Sequence, residues 1–171
     1  MPNLRLKGKV SGVLALFMAF GLMLLLGSDI SFADEPEYVG VLKCKGCHKK
    51  QYAAWLEEKH SQAMSSLSEA EQKDARCLEC HTTGYGKPAK TGARLENVQC
   101  ESCHGPGSLF KRPRIMNRRR FREDREKARQ AALAAGLIEP TEKVCLKCHG
   151  NQPPAFKEFN FREAVEKVNH K

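Results

Sequence analysis

Four copies of one pentapeptide hold all of the chain's thiols. Residues 44–48 read CKGCH, 77–81 CLECH, 100–104 CESCH and 145–149 CLKCH. Together they use all eight cysteines: Cys44, Cys47, Cys77, Cys80, Cys100, Cys103, Cys145 and Cys148. In each copy two thiols stand three positions apart and a histidine follows directly: His48, His81, His104 and His149. Thiols so spaced can add to the two vinyl groups on one edge of a haem, with the next imidazole offered to the iron as proximal ligand. Zinc also favours paired Cys-x-x-Cys, but it needs no histidine after every pair. With six histidines in 171 residues, one after each of the four pairs is roughly a one-in-a-million coincidence. The pattern predicts four covalently bound haems c with their iron, and leaves no cysteine for a disulfide.

Each iron has two axial positions, so beyond the motif histidines only His60 and His170 remain to serve as second ligands. At least two haems must therefore take a methionine, another ligand or nothing. The segment after His48 has a helical spacing, with Tyr52, Leu56, Ala63, Met64 and Leu67 on one face and His60 on the same stripe. Twelve helical residues rise about 18 Å, whereas two histidines on one iron hold their nitrogens about 4 Å apart. His60 is expected to reach a haem other than that of His48; the alternative is a hydrogen-bonded core or surface histidine. His170 closes an apolar terminal segment (Phe156, Phe159, Phe161, Val165, Val168) that follows Pro153-Pro154. It can fold back onto the haem of His149 or remain a frayed end. Met116 is a candidate ligand, while Met64 reads as packing against haem.

The elements that must position these groups come from a short stretch of chain. Arg5, Lys7 and Lys9 precede an apolar run from Val13 to Leu26, and Ser31-Phe32-Ala33 supplies small residues for cleavage. Residues 1–33 read as a cleaved signal peptide and 34–171 as the tetrahaem domain, exported to the periplasm. The alternative is an uncleaved anchor, although the run is shorter than the roughly 20 residues a membrane span needs. The mature part is enough for one domain. With few aromatics and many charges, it is expected to be mainly α, a small single domain of short helices and long loops wrapped around the haems.

The basic stretch 111–129, KRPRIMNRRRFREDREKAR, sets ten Arg and Lys against three acids, a local +7. It reads either as a solvated segment that neutralises haem propionates or as a docking face for an acidic redox partner. Export excludes nucleic acid as a partner. Gly136 and Pro140 should end its helical part.

The run KCKGCHKKQYAAWLEEKHSQAMSSL, followed by CLECHTTGYG, CESCHGPG and a last CLKCH, resembles the tetrahaem cytochromes of the cytochrome c-554 family. The resemblance covers Tyr38 to His170. It implies a mostly helical fold, haems packed in close pairs and electron transfer as the activity. It further implies that His60 caps the haem of His104, that His170 caps the haem of His149, and that the haem of His81 is five-coordinate. The family's distal histidine for the first haem comes from the loop after Gly105-Pro106-Gly107, which here reads SLFKRPRIMNRRR. Met116 replaces that ligand or the site is open. The expected function is single-electron relay between redox partners. The alternatives are reduction of a small nitrogen or oxygen species at an open iron, or, as a third class, a subunit of a cytochrome filament.

Overall fold

A computed structural model describes residues 34–150 and 158–168, all within the unit Asp34–Lys171. Among the described residues, eight short helices follow one another: α1 Leu42–Lys45, α2 Lys49–Leu56, α3 Ala75–His81, α4 Cys100–His104, α5 Arg118–Glu123, α6 Arg125–Ala134, α7 Glu142–His149 and α8 Phe161–Val168. Short 3₁₀ turns (Lys59–Gln62, Met64–Ser66, Glu71–Lys73) carry the chain from α2 to α3. Among the described residues there are only two isolated bridges, Tyr38 with Ala89 and Thr82 with Glu96, and no sheet. The mainly α expectation holds. No helix of the described residues is long and apolar enough to cross a membrane.

Local capping explains several boundaries. Asp74 accepts from the N–H of Arg76 and starts α3, and Asn117 does the same for α5 through Arg119. Asp124 lies in an extended conformation (φ −152°, ψ 93°), so it both ends α5 and caps α6 through the Lys127 N–H. The basic stretch is thus two helices broken at Asp124. Helix α6 ends before Gly136, as its sequence suggests, and the N–H of Leu137 returns to the Ala132 carbonyl.

The single long helix expected after His48 does not form. Helix α2 stops at Leu56, and His60 stands on a 3₁₀ turn. Trp55, off the expected apolar stripe, is the buried residue of α2, whereas Leu56 is exposed. The Trp55 indole donates to the Val98 carbonyl (2.8 Å), and the Val98 N–H donates back to the His60 carbonyl (3.1 Å). These two long-range bonds turn the chain where helical periodicity alone would have continued it.

The apolar core of the described residues is small: Val39, Val41, Trp55, Phe110, Ala128 and Ala132. The largest fully buried side chains are polar, Glu101 and Thr83. Glu101 accepts from the backbone N–H groups of Val39, Gly40 and Gly107 at 2.6–3.1 Å. Thr83 Oγ1 donates to the Asn97 carbonyl (2.8 Å) and accepts from the Gln99 N–H (2.9 Å), and Gln99 Oε1 accepts from Val41 N–H (2.7 Å). Buried polar groups are stable only when paired in this way. The network ties the segment before the first motif to the approach into the third.

Candidate haem centres

Three of the four motifs lie wholly within a helix that ends on the proximal histidine: α3, α4 and α7. The first differs, with Cys44 in α1, Cys47 in the turn, and His48 as the residue before α2. In a helix the cysteines at i and i+3 share a face, so both thiols of a pair can reach one edge of one group. None of the eight cysteines is in a disulfide, and Cys47 is exposed while the other seven are half-buried.

The fold brings the motifs together across the sequence. The Cys44 thiol hydrogen-bonds that of Cys100; this bond, then burial, pushes the Cys44 pKa up, while the same bond holds Cys100 down. Burial, then a hydrogen bond with Cys80, pushes Cys148 up to about 12. The Cys80 thiol also reaches the Lys147 carbonyl at 4.0 Å. Burial, with Cys145 nearby, raises Cys103 to about 11. First and third motifs are therefore neighbours, second and fourth are neighbours, and the third adjoins the fourth.

Two of the motif histidines are held as metal ligands commonly are, with one ring nitrogen fixed on a backbone carbonyl. His81 Nδ1 donates to the Ala63 carbonyl at 2.6 Å and His104 Nδ1 to the Ile138 carbonyl at 3.3 Å. Each bond fixes the tautomer with the proton on Nδ1, so that Nε2 is the nitrogen suited to a metal. Gly105, directly after His104, has φ +79°, and a Cβ there would lie 2.7 Å from the Gly136 carbonyl oxygen. The ring of His149 stacks on Phe159 (centroids 4.9 Å apart). Partial burial, then the proximity of His60, lowers the His149 pKa. His48 is exposed at the N-terminus of α2.

His60 is half-buried; its Nδ1 lies 3.6 Å from a Glu58 carboxylate oxygen and its ring stands edge-on to His149, centroids 6.0 Å apart. The structure thus brings His60 to the proximal histidine of the fourth motif, whereas the resemblance pairs it with the third. Met116 is half-buried in the turn before α5, its N–H bonded to the Arg112 carbonyl. His170 lies outside the described residues.

Thr83 and Gly84, just after His81, are held in place, in contrast to the flexible segment their small size suggests. Thr83 is fully buried, and Gly84 (φ +65°) leaves room for the Tyr38 ring, which a Cβ there would meet at 2.5 Å. Sequence reasoning passed over Glu101 and Gln99, whose partners lie far away in the chain, and read Thr83 only as a small residue of a flexible segment.

These residues fit covalent haem. The thiols and imidazoles have the right chemistry, and His81 and His104 are bonded through Nδ1, the nitrogen a metal does not need. Leu42, Ile138 and Leu146, beside the motifs, are exposed for want of apolar cover within the protein part. A porphyrin face would bury them.

Comparison with known proteins agrees. The family described as Cytochrome c554 and c-prime matches residues 43–105, the span of the first three motifs. Cytochrome c-554 of Nitrosomonas europaea is 33% identical over 150 residues, which is 74% of this chain and 63% of that protein. The chain therefore spans less than two thirds of the length of this relative. The solved structure of the reduced state of cytochrome c554 from Nitrosomonas europaea superposes with a TM-score of 0.55, covering 80% of each chain at 24% identity, a likeness of fold.

Proposed function

We propose, from the premise that the chain belongs to the cytochrome c-554 family, that it is an exported tetrahaem electron carrier. Residues 1–33 direct it to the periplasm and 34–171 form the working domain. Haem, once attached through the eight cysteines, supplies a reversible one-electron couple at each iron. The carrying observation is the adjacency of the motifs. Cys44 lies beside Cys100 and Cys80 beside Cys148, and Cys103 adjoins Cys145. Four centres so placed form one continuous relay.

His48, His81, His104 and His149 serve as proximal ligands. His60 serves as a second axial ligand, and its position favours the fourth motif. The 6.0 Å between the ring centroids of His60 and His149 supports that placement. The His81 haem is left five-coordinate, and Met116 is the candidate second ligand of the His48 haem.

The partner-facing surface is the basic stretch 111–129, which runs from the turn before α5 into α6. Its local acids are occupied: Glu123 pairs with Arg119, Glu126 with Arg129, and Asp124 caps α6. Lys111, Arg114, Arg118, Arg120, Arg122, Arg125 and Lys127 hold no ion pair among the described residues. Such a surplus steers an acidic redox protein toward this face.

Spectroelectrochemical titration of the exported protein tests the carrier reading. Four one-electron steps and rapid reduction by a donor and oxidation by an acceptor are expected. Steady consumption of nitric oxide, hydroxylamine or oxygen, beyond simple binding, would instead make it an enzyme.

A further inference from the structure

The carbonyl oxygen of Ala63 is shared. It accepts from His81 Nδ1 at 2.6 Å, from Ser66 Oγ at 2.7 Å and, at the longer distance of 3.4 Å, from the Ser66 N–H. Ser66 Oγ itself lies 3.4 Å from His81 Nδ1. A carbonyl oxygen has two lone pairs, so hydroxyl and imidazole draw on the same acceptor. An oxygen already engaged by a hydroxyl attracts the imidazole proton less strongly.

We propose that Ser66 is a positioning residue that sets the ligand strength of His81. An imidazole whose Nδ1–H is pulled harder is a more basic ligand through Nε2. It binds iron more tightly and favours the ferric state. By competing for Ala63, the Ser66 hydroxyl keeps His81 weaker and the potential of its haem higher. The proposal rests on the reading of the His81 haem as five-coordinate, where this is the iron's one protein ligand.

The surroundings hold the carbonyl in place when Ser66 is altered. Met64 N–H donates to Asn97 Oδ1 at 2.8 Å, and the Asn97 carbonyl accepts from buried Thr83 two residues beyond His81. Asn97 has φ +70°, a conformation Asn tolerates better than most residues. Gln72 Nε2 also donates to the Met64 and Leu67 carbonyls at 3.3 and 3.0 Å. Ser66 is itself exposed, so truncating it removes the competing donor without opening a cavity.

The test compares Ser66→Ala and Ser66→Thr with the wild-type four-haem protein. Resonance Raman spectroscopy of the reduced form reads the iron–histidine stretch of a five-coordinate haem, and spectroelectrochemistry reads the four midpoints. Ser66→Ala should raise the stretching frequency and lower one midpoint, and Ser66→Thr should restore both. An unchanged stretch with four unchanged midpoints overturns the proposal. If the wild type lacks the stretch altogether, the five-coordinate reading fails. The midpoints then still decide the matter, since one lowered by Ser66→Ala supports the role of Ser66 and none lowered refutes it.

Discussion

The ring of His60 stands edge-on to that of His149, 6.0 Å between centroids, although one lies on a 3₁₀ turn after the first motif and the other ends the fourth. Val98 makes this possible by holding the His60 carbonyl and the Trp55 indole at once. His60→Ala should therefore turn one low-spin iron high-spin and lower the unfolding temperature. Because Phe159 stacks on His149, proton resonances of the altered haem should show contacts to that phenyl ring. A spin change at a haem lacking them would return His60 to the third motif, and no spin change would make it a packing residue.

A second expectation concerns Glu101, the most deeply buried charged side chain among the described residues. Its carboxylate is acceptor-only and takes the N–H groups of Val39, Gly40 and Gly107. Glu101→Gln keeps the shape but turns an amide NH₂ toward those donors. The loss should be about 3 kcal/mol in denaturant unfolding of the haem-loaded protein, since a buried donor left unpaired costs about 1–3 kcal/mol. Stability within experimental error of wild type would show that the network tolerates the change.

Much of the site was legible because haem attachment is a local pattern. The pairs of cysteines and their histidines stand in the sequence as they stand on α3, α4 and α7. What was not legible depends on distant partners. The end of α2 at Leu56 follows from Trp55 and His60 both bonding Val98, a residue some forty positions away, and a helical stripe cannot report that. Glu101 occupies a variable position of the motif and looks like a surface acid until Val39 and Gly40 close over it. Thr83 and Gly84 look mobile by composition, yet Asn97 and the Tyr38 ring fix them.

The basic face gives a kinetic prediction. Arg118 and Arg122, one turn apart on α5, are exposed and free of ion pairs among the described residues. Replacing both by Glu should slow electron exchange with an acidic partner by about tenfold at low ionic strength. The difference should shrink in high salt, where charges separated by more than about a Debye length are screened. Stopped-flow rates that show the same deficit at every ionic strength would point to damaged folding or haem insertion in place of lost steering.

The haem content and the open iron can be tested on one preparation. The mass of the exported protein should be that of the chain from Asp34 plus four haems, and bound zinc or a smaller number of haems would defeat the whole assignment. Six histidines cannot fill eight axial positions, so at least two irons lack a second histidine. His81 is held at Nδ1 by Ala63, which presents Nε2 to one side of its iron, and the adjoining turn is pinned by Thr83 and Tyr38. Carbon monoxide should bind the reduced protein rapidly at this haem, without the lag of a displaced ligand. At the His48 haem, binding should be slow or absent in the wild type and fast in Met116→Ala, if the thioether occupies that iron. A wild-type protein that is wholly low-spin and inert to carbon monoxide would mean that side chains other than histidine cap both irons, and the vacancy inferred from the histidine count would be wrong.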